Sequence, residues 1–125
     1  MKLAIALLLA SATVQAAPIE YACLDAQRTQ ATLKVKNAKS LVWNDVSHSA
    51  VSRGNFDGIE TSPFSNRKGY RTYQLVDFHI TADSAFYVDV QPQALTGAAK
   101  IIATVYYDTD GHEEDTTPFR CVRTR

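Results

Sequence analysis

The stretch YYDTDGHEEDTTPFRC, residues 106–121, gathers Asp108, Asp110, Glu113, Glu114 and Asp115 around Gly111. Acids at that density can coordinate a hard cation, and a calcium loop is the arrangement to test. Such a loop takes acids or amides at positions 1, 3 and 5, glycine at 6 and glutamate at 12. With Gly111 at position 6, Asp108 and Asp110 fall at 3 and 5, but Tyr106 and Thr117 fall at 1 and 12. Neither supplies a carboxylate. Asp110-Gly111 fits instead the two-residue hairpin turn, which needs positive φ at both central positions. The expected pairing is Thr109 with His112, Tyr107 with Glu114, Val105 with Thr116 and Ile102 with Phe119. The acids then lie on the solvent side near the hairpin tip, where charge also discourages mispairing.

A second constellation follows from strand register. A three-residue loop at Ala82-Asp83-Ser84 pairs Ile80 with Phe86, Phe78 with Val88 and Val76 with Val90, which places all six apolar residues on one face. The other face then carries His79 opposite Tyr87 and Asp77 opposite Asp89. Facing carboxylates repel unless a cation intervenes. Asp77, His79 and Asp89 are therefore the candidate metal ligands, with Arg71 or Lys100 as the basic neighbours that would neutralise the pair instead. A solvated polar face with a basic neighbour is the preferred reading, so no metal or other cofactor is expected.

The third feature is a binding composition. Ser47 to Gly69 is rich in Ser, Asn, Gly and Arg and reads as one long connection, of the kind that is functional or mobile in compact domains. Across 47–73 lie Arg53, Phe56, Phe64, Arg67, Lys68, Tyr70, Arg71 and Tyr73. Arginine interleaved with aromatics is enriched at binding hot spots, which makes these the candidate partner-binding residues. The structural alternative has Phe56 and Phe64 capping the end of the barrel and Tyr70 and Tyr73 as ordinary strand residues. Catalytic patterns are scarce by comparison. His48, His79 and His112 are scattered, with no HExxH, no GxSxG and no glycine-rich phosphate loop. An enzyme is not expected.

These residues must be positioned by strands. Ile19, Tyr21 and Cys23 alternate with Glu20, Ala22 and Leu24; Ala31, Leu33 and Val35 alternate with Thr32, Lys34 and Lys36. Leu41 to Val46 follows a turn at Asn37–Ser40, and Trp43 within it reads as a core residue. Phe86, Val88 and Val90 continue the two-residue period, and Ile101 to Tyr107 is the continuous β-branched and aromatic run of a strand covered on both faces. No helical stripe appears. The expectation is an all-β domain, a small antiparallel meander of about seven to eight strands closed as a barrel or folded as a sandwich.

Residues 1–16 read as a signal peptide rather than as fold. Met1-Lys2 gives a positive start, Leu3 to Ala10 an uncharged apolar run, and Val14-Gln15-Ala16 a small-residue cleavage site. That run is shorter than the roughly 20 residues a membrane span needs. Residues 17–125 then form one domain, secreted or periplasmic, with no membrane insertion. The whole chain carries 13 Lys+Arg and 13 Asp+Glu, so removing Lys2 leaves a charge near −1 and no field to attract nucleic acid. In an oxidising compartment Cys23 and Cys121 are expected to bridge the first strand to the last.

Tyr21-Ala22-Cys23 near the mature start, the late Cys121 and an exported all-β chain of this size resemble the periplasmic inhibitors of C-type lysozyme. The resemblance covers the two ends and the architecture. The Ser-Gly-x-x-Tyr and Trp-x-Lys-Gly segments of those inhibitors do not occur here, and Trp43 lies in the first half, so no inhibitor residue carries over. The functional expectation is an exported, non-catalytic binding domain for an extracytoplasmic protein or glycan, acting through residues 47–73. The alternatives are a lysozyme-inhibitor-like protein by architecture, or an assembly component that self-associates through strand edges.

Overall fold

A computed structural model describes residues 17–52, 69–77, 85–109 and 112–125. Eight strands follow in order: β1 (Ile19–Leu24), β2 (Gln30–Asn37), β3 (Ser40–Asp45), β4 (Ser49–Ser52), β5 (Arg71–Asp77), β6 (Ala85–Val90), β7 (Lys100–Thr109) and β8 (His112–Arg123). Each pairs antiparallel with its neighbour in sequence, and β8 pairs back onto β1, so the sheet closes as a barrel. Closure removes the free edges on which self-association through strands would depend.

The two-residue period explains the closure. Tyr21, Cys23, Leu33, Val35, Leu41, Trp43, Leu75, Phe86, Val88, Ala103 and Phe119 all turn inward and are buried. An eight-stranded barrel has an interior just wide enough for side chains to fill, and Trp43, fully buried, meets Phe119 edge-on at 5.0 Å between ring centroids. The seam between first and last strands is locked covalently, because Cys23 and Cys121 are direct cross-strand partners and are bridged.

The two ends differ. At one end a short 3-10 helix, Pro92–Thr96, buries Ala94, and the Tyr21 hydroxyl donates to the Ala98 carbonyl at 2.7 Å. Gly97 terminates that helix at φ 84°, in the left-handed region that favours glycine, and a Cβ there would meet the Arg123 guanidinium. The other end carries the β1–β2 and β3–β4 turns and the tip of the β7–β8 hairpin.

Several expectations are corrected. Ser47–Gly69 is not one loop: Ser49–Ser52 is a strand with Ala50 and Ser52 buried, and it carries the chain from one end of the barrel to the other. Val46 lies in a turn, not in β3, and is exposed. In β5 it is Tyr73 and Leu75 that face inward, while Val76 faces outward. The β5–β6 register pairs Thr72 with Asp89, Tyr73 with Val88 and Leu75 with Phe86. The segment offered two apolar alternations of opposite parity, and the barrel uses the earlier one. In the β7–β8 hairpin Thr109–His112 and Tyr107–Glu114 pair as expected, but the register then shifts by one residue to Val105–Thr117 and Ala103–Phe119. Asp115 at φ 53° supplies the bulge.

Candidate functional site

Chemistry-bearing side chains converge at the end of the barrel opposite the 3-10 helix. The β3–β4 turn is closed by the Asp45 amide donating to the His48 carbonyl at 2.9 Å, while Asp45 Oδ1 accepts from the Ser47 and His48 amides at 2.8 Å each. This Asx turn holds the carboxylate in place, and Trp43 Nε1 donates to its Oδ2 at 2.8 Å. His48 Nδ1 lies 2.9 and 3.0 Å from the two carboxylate oxygens, and its Nε2 meets the Tyr107 hydroxyl. The imidazole stacks on Phe86, with centroids 4.2 Å apart and 11° between planes.

Electrostatics fixes the direction of the chain. Burial pushes the Asp45 carboxyl up, but hydrogen bonds from His48, Trp43 and the Ser47 amide, with the nearby His48 charge, outweigh it and hold the group below its ordinary value. An ionised Asp45 only accepts, so His48 Nδ1 carries a proton and, in the neutral ring, Nε2 accepts from the Tyr107 O–H. The polarity is that of an orienting acid, a base and a hydroxyl. Beside it opens a pocket of about 180 Å³ that Asp25, His48, Phe86, Tyr107 and Asp115 help to line. Within the fold the arrangement pins the β3–β4 turn to β6 and β7, and the His48 side chain is 11% exposed.

A second site lies on the outer surface of β1, β8 and β7. Register places Ala22, Val122 and Lys100 in one row across these strands, and Leu24, Arg120 and Ile102 in the next, all opposite in parity to the buried Cys23 and Cys121. Of these, Leu24, Ile102, Arg120 and Val122, with Pro118 and the β1–β2 turn, bound a groove of about 710 Å³. Leu24 and Val122 are 42% and 51% exposed. Arg28 stands in the turn beside them, at φ 65°. The groove's one carboxylate, Asp25, is engaged in the turn and accepts from the Gln27 and Thr29 amides at 2.9 and 2.8 Å. Among the described residues, Arg28, Lys100 and Arg120 form no ion pair.

The residues singled out from sequence are distributed otherwise. Arg53, Phe56, Phe64, Arg67, Lys68 and His79 lie outside the described residues. Tyr70 and Arg71 are half-buried, at the end that carries the 3-10 helix. Tyr73 is no surface residue: it is fully buried, its hydroxyl donates to the Ala38 carbonyl at 2.7 Å, and burial pushes its phenol up, offset only in part by Arg71. Asp77 does not face Asp89 but pairs with Ala50. Asp89 is fully buried on the face opposite the barrel interior, where it accepts from Thr72 Oγ1 at 2.6 Å and from the Tyr106 hydroxyl at 3.0 Å. Among the described residues, no three His, Cys, Asp or Glu side chains cluster closely enough to hold a metal ion.

Sequence reasoning passed over both sites. The Asx motif Asp45-Val46-Ser47-His48 was a legible signal for the first, and the outward parity of Leu24, Arg120 and Val122 for the second. No protein-family model, curated protein or solved structure matches the chain.

Proposed function

We propose that this protein is an extracytoplasmic, non-catalytic binding domain: a rigid, disulfide-clamped barrel that engages a partner through its outer surface. The observation that carries this reading is the β1–β8–β7 groove, where exposed Leu24 and Val122 lie beside Arg28 and Arg120, cations without ion pairs among the described residues. Solvated apolar side chains within reach of uncompensated charge offer a partner both area and complementarity. The interior supports the same view, because Trp43, Tyr21, Tyr73 and Phe86 fill it and leave recognition to the surface. A leader at 1–16 and the Cys23–Cys121 bridge support a secreted or periplasmic location.

Photo-crosslinking in cells that make the full chain tests the proposal. A benzophenone amino acid at Val122 should give a discrete adduct, while the same group at Val76, comparably exposed on β5, should not. Equal adducts from both positions, or none from Val122, would overturn it.

A further inference from the structure

Two apolar patches of similar exposure lie on the outside of this barrel. On β3, β4 and β5, Val42, Val51 and Val76 form one cross-strand row, with Val51 38% and Val76 43% exposed. The neighbour that continues this row on β2 is Lys34, and its ammonium is paired with Glu20 at 3.6 Å. The groove on β1, β8 and β7 exposes Leu24 and Val122 to the same degree, yet Arg28 and Arg120 beside them form no ion pair among the described residues. This is a local choice and not a shortage of work for cations. Just past the groove, Arg123 donates to the Gly97 carbonyl at 2.8 Å, and Arg125 pairs with Glu20 at 3.5 Å.

The backbone at Arg28 sharpens the contrast. A left-handed φ is unfavourable for a non-glycine residue, and the turn that Asp25 organises would accept glycine there. The chain instead places a guanidinium at that position, exposed and beside the apolar rows. Strain of this kind collects where a side chain is needed for something other than stability.

We infer that the groove binds an acidic segment of a partner protein, one whose carboxylates meet Arg28 and Arg120 while an apolar side chain between them covers Leu24 and Val122. This rests on the binding reading above and adds the chemistry of the partner. Guanidinium groups suit carboxylates because their planar forks pair with both oxygens. The β1–β8–β7 strands are fully paired, so the occupant cannot add itself as a strand and must be recognised through side chains.

The test is selection of random dodecapeptides displayed on phage against the purified, oxidised protein. Enriched peptides should be acidic, with an apolar residue between carboxylates. Changing their carboxylates to amides should weaken Kd by at least about tenfold, the factor that about 1.4 kcal/mol represents. The Arg28→Glu/Arg120→Glu protein should lose them by a similar factor while melting normally. Neutral or basic peptides, equal binding of the amide forms, or no enrichment would overturn the inference. So would phosphatidylglycerol vesicles binding where no peptide does, or concentration-dependent dimerisation that the double variant abolishes, since these assign the groove to a lipid surface or to a second copy. A Val122 adduct without acidic enrichment would leave the binding domain standing and remove only the acidic partner.

Discussion

The Asp45–His48–Tyr107 chain and the β1–β8–β7 groove both bring polar groups to the side of apolar ones, but they close their accounts differently. At the barrel end, Asp45 accepts from an indole, an imidazole and two backbone amides, and His48 has a partner at each ring nitrogen and an aromatic face against its own. On the outer surface, Arg28 and Arg120 stand next to exposed leucine and valine without an ion pair among the described residues. The first is built from side chains that satisfy one another, and removing one strands the rest. The second is built from side chains that the fold does not use. A saturated network therefore signals cohesion here, and the unsaturated one is where the proposal places recognition.

The largest expected effect lies beneath the groove, in the bridge that closes the seam. Cys23 and Cys121 are 98 residues apart, so the bridge restrains almost the whole unfolded chain. Replacing both by alanine should lower stability by about 2–5 kcal/mol in a urea titration. A loss well under 1 kcal/mol would mean that the β1–β8 pairing holds the seam unaided, and the rigid scaffold assumed for the groove would need another source.

Next comes the network itself. His48→Gln removes the stack on Phe86 and interrupts the link from Asp45 to Tyr107, and should cost about 1–3 kcal/mol. Asp45→Asn should cost less and should show a pH signature. The folded carboxyl lies below its ordinary value, so it contributes stability above the unfolded value of about 3.9, and that contribution is lost as pH falls through the folded value. The difference in melting temperature between the native protein and Asp45→Asn should thus be constant near neutrality and shrink below about pH 4. A difference that persists unchanged at lower pH would show that Asp45 acts by shape and not by charge.

How much of this was readable beforehand depends on how locally each feature is encoded. The all-β barrel, the bridge and the buried Trp43 follow from alternation and from two cysteines placed near the ends, and all are present. Register was legible only where a short turn fixes it. Thr109–His112 is set by a two-residue turn and is as expected, but the shift at Asp115 needed no glycine to announce it. In β5 the apolar alternation changes parity between Leu75 and Val76, and alternation alone cannot choose between the two faces. That parity puts Tyr73 in the core, and Asp89 pairs with Thr72, five residues before the Asp77 that a three-residue loop would have given. Both sites join residues from distant strands, so closure of the barrel, and not any short motif, assembles them.

The smallest stability effects are expected at the groove, and Arg28 gives the most direct way to break the comparison. Its φ of 65° lies in the region that favours glycine. If Arg28 served the fold, as His48 does, its removal would lower the melting temperature. If it serves a partner, Arg28→Gly relieves the left-handed strain, a gain that the added freedom of glycine in the unfolded chain, about 0.4–1 kcal/mol, offsets in part. The melting temperature should then stay level or rise, while binding of an acidic peptide weakens. Arg28→Lys keeps the charge and the strain and should fall between the native protein and Arg28→Gly in binding, since an ammonium cannot grip a carboxylate with two parallel bonds. A lower melting temperature for Arg28→Gly would place Arg28 with the network, as part of what holds the turn, and would leave Arg120 to carry the groove's charge.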